Sequence, residues 1–235
     1  MTYCLLFAVL FGLPAFAAKQ QPPVTLKADV ITYDTATGLT IAEGNVIITQ
    51  EDGEALAARA EYDLNGRVGL LEGDVRVVKG DAHLTAERLT VRVNGRYTAE
   101  GSATVNKAGS RVSAPRLDYW QNGLTRTSGG RGRLLQADGD ELTADHIEYD
   151  MNKRTGLAQG NVRISSPTRS LTGAGDEASY TAVAGDDAEI ILTGNAWLVQ
   201  NGNKIMGNSL ILKTGKNTGE AVGQARLDIL PEEKR

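Results

Sequence analysis

Three acidic residues, Asp29, Glu87 and Asp145, stand at equivalent points of a repeated phrase, and a row of carboxylates is what a glycosidase or a calcium site would need. A glycosidase pair must face across a cleft at catalytic separation. Repeated acids that terminate strands toward solvent account for the same pattern without chemistry. The acidic turns Asp138-Gly139-Asp140-Glu141 and Glu51-Asp52-Gly53-Glu54 fall short of the ligand count of a dedicated calcium loop. His83 and His146 are the only histidines, neither has a second imidazole at metal-ligand spacing, and both read as strand or turn residues in solvent. Lys204, Arg88 and Arg92 read as ordinary solvated charges. There is no nucleophile elbow, phosphate loop, dinucleotide fingerprint or zinc signature. The sequence therefore predicts no catalytic residue, no cofactor and no metal site, and function must be sought in the elements themselves.

Those elements belong to a chain of 235 residues that is 41% hydrophobic and 23% charged, enough apolar material for a core. Glycine is abundant at 27 residues and aromatics are scarce at 5%, so turns are many and core side chains small. Phe7, Phe11 and Phe16 all lie in the first sixteen residues. A net charge of −4 disfavours nucleic acid as a partner. Leu5 to Leu13 is apolar, Pro14 interrupts it, and Ala15-Phe16-Ala17 is a cleavage signal, so residues 1–18 read as a secretory signal peptide that is removed. The run is too short for a membrane span. The lack of Lys or Arg before Leu5 is atypical of such a leader and suggests a translation start upstream. Loss of Cys4 with this segment leaves 19–235 without cysteine, hence without a disulfide or a thiolate metal site.

One phrase, apolar-x-Ala-(Asp/Glu)-x-apolar-x-(Tyr/apolar), recurs through the rest. Strong copies are Leu26-Lys27-Ala28-Asp29-Val30-Ile31-Thr32-Tyr33, Leu84-Thr85-Ala86-Glu87-Arg88-Leu89 and Leu142-Thr143-Ala144-Asp145-His146-Ile147-Glu148-Tyr149. With weaker copies from Leu56, Val112, Leu171 and Ile205, the small third residue falls at Ala28, Ala58, Ala86, Ala114, Ala144, Gly173 and Gly207, at intervals of 28 to 34. A second phrase interleaves: Glu43-Gly44-Asn45-Val46, Glu72-Gly73-Asp74-Val75, Glu100-Gly101-Ser102-Ala103, Gln159-Gly160-Asn161-Val162, Thr193-Gly194-Asn195-Ala196 and degenerate copies at Gly132 and Gly223. Two markers keep one period, which is the signature of a repeat architecture.

Each unit holds two stretches with the alternation of half-buried strands. Arg76 and Arg163 take the outward places. Leu26 and Leu142 lie five positions before Ile31 and Ile147, out of phase for a flat strand, so a bulge or corner follows the small residue. About seven two-strand units give some 14 strands in two sheets, hence an elongated all-β domain over 19–235. At ~4.8 Å per strand, seven strands per sheet span roughly 35 Å. Ala182-Val183-Ala184-Gly185-Asp186-Asp187 reads as an inserted loop, and 19–23 and 231–235 as polar tails. The end strands are not blunted, and Val24, Leu26, Val30, Leu210, Leu212 and Leu227 are the residues expected to join one copy, or another protein, by strand addition.

The inner faces carry Val46, Ile48, Val75, Val77, Val105, Val162, Ile164 and Leu198 on one wall and Ile31, Leu89, Leu117, Ile147 and Leu210 on the other. Such walls either close on a packed core, which composition favours, or splay into a groove for an acyl chain. The groove makes these thirteen residues lipid contacts; the packed core makes them structural. A secreted β-solenoid that binds or cleaves polysaccharide, with Trp120 in its site, and an exported structural repeat without a ligand are the other readings.

Leu192-Thr193-Gly194-Asn195-Ala196-Trp197-Leu198-Val199-Gln200, running on to Asn203-Lys204-Ile205-Met206-Gly207-Asn208-Ser209-Leu210, resembles the signature of the OstA-like, LptA-like periplasmic proteins of lipopolysaccharide transport. Ala28-Asp29-Val30-Ile31-Thr32-Tyr33 and Ala42-Glu43-Gly44-Asn45-Val46 match the same pattern, and the resemblance runs from Val24 to Leu230. Asn208 stands where the family usually has Asp, and Pro115 interrupts the fourth copy. The resemblance implies an open β-jellyroll whose interior shields the acyl chains of lipid A, and no catalysis. It implies a periplasmic location, an LptC-like inner-membrane partner, an LptD-like outer-membrane translocon and head-to-tail assembly of copies. The leader and the end at Arg235 fit the soluble carrier of such a system.

Overall fold

The computed structural model describes residues 24–92, 94–183, 187–216 and 218–229. The leader at 1–18, both polar tails and residues 184–186 of the inserted loop lie outside them. The described residues form eighteen strands, β1 (Thr25–Lys27), β2 (Val30–Tyr33), β3 (Leu39–Gln50), β4 (Gly53–Asp63), β5 (Val68–Lys79), β6 (Ala82–Arg92), β7 (Arg96–Lys107), β8 (Ser110–Trp120), β9 (Leu124–Ser128), β10 (Gly132–Leu135), β11 (Glu141–Ala144), β12 (His146–Asp150), β13 (Thr155–Ser166), β14 (Leu171–Ala182), β15 (Ala188–Gln200), β16 (Asn203–Lys213), β17 (Thr218–Val222) and β18 (Arg226–Asp228). A single 3-10 turn at Thr214–Lys216 is the one helical stretch among them. The chain is all-β, and every ladder with a recorded register is antiparallel.

The long strands do not each lie in one sheet. Every ladder between them with a recorded register breaks once, near the middle, as between Glu43 and Val46, Glu72 and Val75, Gln159 and Val162, and Thr193 and Ala196. The extra residues are the Gly-x pairs of the second phrase, and both members are left-handed: Gly44 and Asn45 at φ 75° and 47°, Gly160 and Asn161 at 76° and 50°. Two left-handed residues turn an extended chain sharply, and Gly with Asn or Asp is the pair that tolerates this at least cost. Each strand thus bends at a spine and contributes one half to each of two walls. Where a strand is interrupted, it is interrupted at the same level, so that β1 and β2 together line β3, β11 and β12 line β13, and β17 and β18 line β16. The expected corner is present, but the two sheets are halves of the same strands.

The ladders also move two markers. Val46 faces Ala57 and Val162 faces Gly175, as Val75 faces Ala86, so Ala57 and Gly175 take the small position, not Ala58 and Gly173. The intervals then tighten to between 28 and 32 residues. Gly132 faces Ala144 and so stands in the place of Val46; the turning glycines of that copy are Gly129 and Gly130, both at positive φ. Small residues at this level are what the inner angle of a bend accommodates.

The described chain divides into two compact units, 24–108 with 113–123, and 109–112 with 124–229. Each holds about seven rungs, so the span of roughly 35 Å at ~4.8 Å per strand belongs to one unit. In the first unit Val46, Ile48, Val75, Leu89, Val105 and Leu117 are buried between the walls; in the second, Ile147, Val162, Ile164, Leu192, Leu198 and Leu210 are.

Candidate ligand-binding interior

The spine is held by side chains of both phrases. Asn45 donates to Asp29 at 2.9 Å, Asn161 to Asp145 at 2.7 Å and Asn195 to Asp176 at 3.0 Å, in each case across one strand. The backbone repeats the link, with Asp29 N–H on Gly44 O and Asp145 N–H on Gly160 O, both at 2.9 Å. Asp29, Asp145 and Asp176 are therefore caps of the bend, each accepting from an asparagine amide at the outer surface. Asn208 serves the last copy in the same way, its N–H on Gly223 O at 2.8 Å. Pro115 lies within β8, directly after Ala114, the small position of its copy.

The other candidate polar residues are structural too. His146 is half-buried, its Nδ1 2.7 Å from Thr127 O, while the Thr127 hydroxyl accepts from Ile147 N–H at 2.9 Å. Asp138 and Asp140 pair with Arg169 at 3.6 and 2.6 Å, and Glu141 with Arg133 at 2.7 Å. Arg88 joins a surface network in which Glu72 binds both it and Arg59, at 3.1 and 3.3 Å. Lys204 lies 5.5 Å from the centre of the Trp197 ring.

Opposite the spine, the hairpin turns of the two walls form a mouth. Four residues past each corner, a tyrosine or an aliphatic residue stands at the mouth level: Tyr33, Tyr62, Val91 and Tyr119 in the first unit, Tyr149, Tyr180 and Leu212 in the second. The eighth position of the repeated phrase is the signal in the sequence for these rings. A phenol suits such a level because its ring is apolar and its hydroxyl wets the edge.

In the first unit the mouth holds a cleft of about 370 Å³, with Val77, Leu84 and Val105 on one wall and Tyr97 and Tyr119 on the other. The two rings pack at 6.0 Å, tilted by 50°. Burial pushes the Tyr97 phenol up to about 12, against a smaller opposing effect of the Gln121 amide, which donates to it at 3.0 Å. His83, which is exposed, lies on the rim. In the second unit a cleft of about 270 Å³ lies among Leu171, Ile190, Leu198, Ile205, Leu212 and Leu227. Elsewhere in that unit the walls are tied: Ser110 Oγ donates to Gln136 Oε1 at 2.7 Å, and the Gln136 amide donates to Tyr149 OH at 3.1 Å.

Of the thirteen interior candidates, Val77, Val105 and Leu198 line a cleft. Val46, Ile48, Val75, Leu89, Leu117, Ile147, Val162, Ile164 and Leu210 are buried in the packing between the walls. Ile31 is 49% exposed on β2, where it faces Ala42 of β3. The interior is thus packed along its spine and cleft at its mouth, a mixture of the two alternatives.

Of the end residues, Val24 and Leu26 are half-buried and Val30 and Leu227 exposed. Leu210 and Leu212 are corrected. They lie on β16, which β17 covers, Leu210 facing Ala221 and Leu212 facing Gly219, so their backbone is no free edge. The outer strand instead presents Val222 and Leu227.

Residues 54–119 match the family model described as LptA/(LptD N-terminal domain) LPS transport protein. The chain is 28% identical over 131 residues to the LPS-assembly protein LptD of Neisseria gonorrhoeae, and 27% identical over 130 residues to that of Neisseria meningitidis serogroup A. These alignments cover 56% and 55% of this chain and 15% of each relative, so the chain spans a small part of the relatives it matches. Among solved structures, it matches LptH, the LptA homologous periplasmic component of lipopolysaccharide transport from Pseudomonas aeruginosa, at 13% identity, covering 89% of this chain and 96% of that one with a TM-score of 0.22. The matched segment runs from β4 to β8, through the bends and both walls of the first unit's cleft. The likeness to the family described as LptA/(LptD N-terminal domain) LPS transport protein is thus carried by residues 54–119.

Proposed function

We propose that this chain is a periplasmic lipopolysaccharide carrier, which shields the acyl chains of lipid A between its walls on the way from the inner to the outer membrane. The observation that carries the reading is the two-walled interior, apolar from spine to mouth and left unfilled at the mouth of each unit. Bent strands suit this work, because walls joined at a spine can part at the mouth without breaking a ladder. The working domain is 19–235, exported by the leader at 1–18. No helix among the described residues is long and apolar enough to cross a membrane. The end strands β1, β2, β17 and β18, on which Val30, Val222 and Leu227 are exposed, suit strand addition to a second copy, to an LptC-like partner or to an LptD-like translocon. The carrier role needs no catalytic group, and Asp29 and Asp145 already have partners at the spine.

Mass spectrometry of lipid extracted from the protein, purified gently from the periplasm of a lipopolysaccharide-producing host, tests this. Lipid A or its precursors at near-stoichiometric amounts are expected. Protein free of lipid that also fails to take up added lipopolysaccharide would sink the reading.

A further inference from the structure

We infer that a row of alternating charges along the outer side of the first unit's spine clamps its strands at the bend and loosens as salt screens it, while the second unit has no such clamp. The inference goes beyond the carrier reading and holds whatever the interior binds. Glu43, Arg59, Glu72, Arg88, Glu100 and Arg116 stand at the level of the bend on β3 to β8, one to a strand, and the sign changes at every step. The next residue of each strand away from the bend is buried, from Ala42 on β3 to Leu117 on β8, so alternation turns the charged one outward. Strand register sets the charges face to face: Glu43 with Arg59, Arg59 with Glu72, Glu72 with Arg88 and Arg88 with Glu100. Ion pairs run along the row, from Arg59 to Glu43 at 3.7 Å and to Glu72 at 3.3 Å, from Arg88 to Glu72 at 3.1 Å and from Arg116 to Glu100 at 2.6 Å. Glu61, two residues along β4, gives Arg59 a third carboxylate at 2.7 Å.

The same level of the second unit holds His146, Gln159, Glu177, Thr193, Ser209 and Val222, each facing the next across the ladder. Glu177 is the one carboxylate among them, and its partner is a neutral amide, Gln159, which donates to it at 3.1 Å. Bent strands of like length are therefore joined at one level by charge in the first unit and without it in the second. A single exposed ion pair contributes little, but a network in which each group has two or more partners adds up. Opposite charges directly across a ladder stabilise it, and like charges there destabilise it. Because the row lies on the surface, dissolved salt reaches it, and the first unit is the one built to respond to ionic strength.

Amide hydrogen exchange of the full chain, followed by mass spectrometry at pH 8 in 10 mM and in 1 M NaCl, tests the assignment with the second unit as internal reference. Between these conditions the screening length shrinks from about 30 Å to about 3 Å. Protection of β4 to β7 is expected to fall about fivefold, and that of β13 to β16 to change by less than about twofold. Arg88→Glu sets like charges against Glu72 and Glu100, so its first unit should start less protected and gain protection as salt is added, the reverse of wild type. Arg88→Gln should show a shallower fall than wild type. Loss of the arginine stem's packing alone would leave the salt response of either variant as it is in wild type. A salt response equal in the two units, or variants at Arg88 that keep the wild-type response, overturns the clamp.

Discussion

Asn161, at the bend of β13, donates a 2.7 Å hydrogen bond to Asp145, the residue at which β11 gives way to β12. One contact joins the two repeated phrases of the sequence, and it does so on the outside of the spine, where the chain must turn from one wall to the other. The same relation recurs as Asn45 with Asp29 and Asn195 with Asp176. A motif that could have been catalytic is a device for bending strands.

The glycine of each bend is under tighter constraint than its neighbour. Gly160 sits at φ 76°, and a Cβ there would lie 2.6 Å from Asp145 Oδ2. Gly160→Ala is expected to cost about 1 to 2 kcal/mol through left-handed strain and a displaced cap. Asn161→Ala, which loses an exposed hydrogen bond, should cost about 0.5 to 1 kcal/mol. Urea unfolding of the full chain orders the two, and an alanine at 160 as stable as wild type would refute the bend geometry.

An arginine placed on the inner wall acts differently by depth. Val162 is 1% exposed beside the spine, and Val162→Arg should destabilise by about 3 to 5 kcal/mol as an unpaired buried charge. Val75, equally buried, should behave alike. Val77 is half-buried in the cleft, so Val77→Arg is expected to fold and to block uptake of added lipopolysaccharide. Circular dichroism melts separate loss of fold from loss of binding; a folded Val77→Arg that binds normally takes that wall out of the site.

Away from the cleft of the second unit, the Tyr149 hydroxyl accepts from Gln136 and lies 3.3 Å from Ser110 Oγ. In Tyr149→Phe the Gln136 amide loses its 3.1 Å acceptor, and the link between walls that runs through Ser110 and Gln136 ends. The expected cost is about 1 kcal/mol, with amide exchange in β11 and β12 several-fold faster by mass-detected deuterium uptake. Unaltered exchange there would show that the hydroxyl does not tie the walls.

Asp118 makes stability depend on pH. Burial alone would raise its carboxyl, but hydrogen bonds from Arg96 at 2.6 Å and Thr98 at 2.6 Å, with the charges of Arg96 and Arg116, hold it below the ordinary carboxylate range. The folded state therefore favours the ionised form, and this contribution is present above the unfolded value of about 4 and is lost as pH falls through the lower folded value. Wild type should exceed Asp118→Asn in melting temperature at pH 6, with the gap narrowing as pH falls from 4 toward 2. A constant gap would mean that the ion pair with Arg96 does not govern it.

The period, the all-β class and the inner face were legible in the sequence because they depend on local rules. Alternation places Val46 and Ile48 on one face whatever else the chain does, and a Gly-Asn pair turns a strand in any context. The family resemblance read in Leu192 to Leu210 rested on the same spacing. Exact alignment of the weaker copies was less legible: Ala58 and Gly173 look like the small position, and only their strand partners show that Ala57 and Gly175 fill it. Leu210 and Leu212 looked like an edge because nothing local announces that β17 folds back over β16.

By itself the sequence determined a bent, repeated strand with an apolar side, since side-chain alternation and left-handed turn residues act within a few positions. Tertiary structure alone decided that both halves of each strand face one another, that Asp29 and Asp145 cap bends across a strand, and that valines equivalent in the repeat differ in fate. Val75 is packed at the spine while Val77, two residues on, lines a cleft. The reason is that filling between two walls depends on their separation and on every side chain opposite, quantities that no single strand contains.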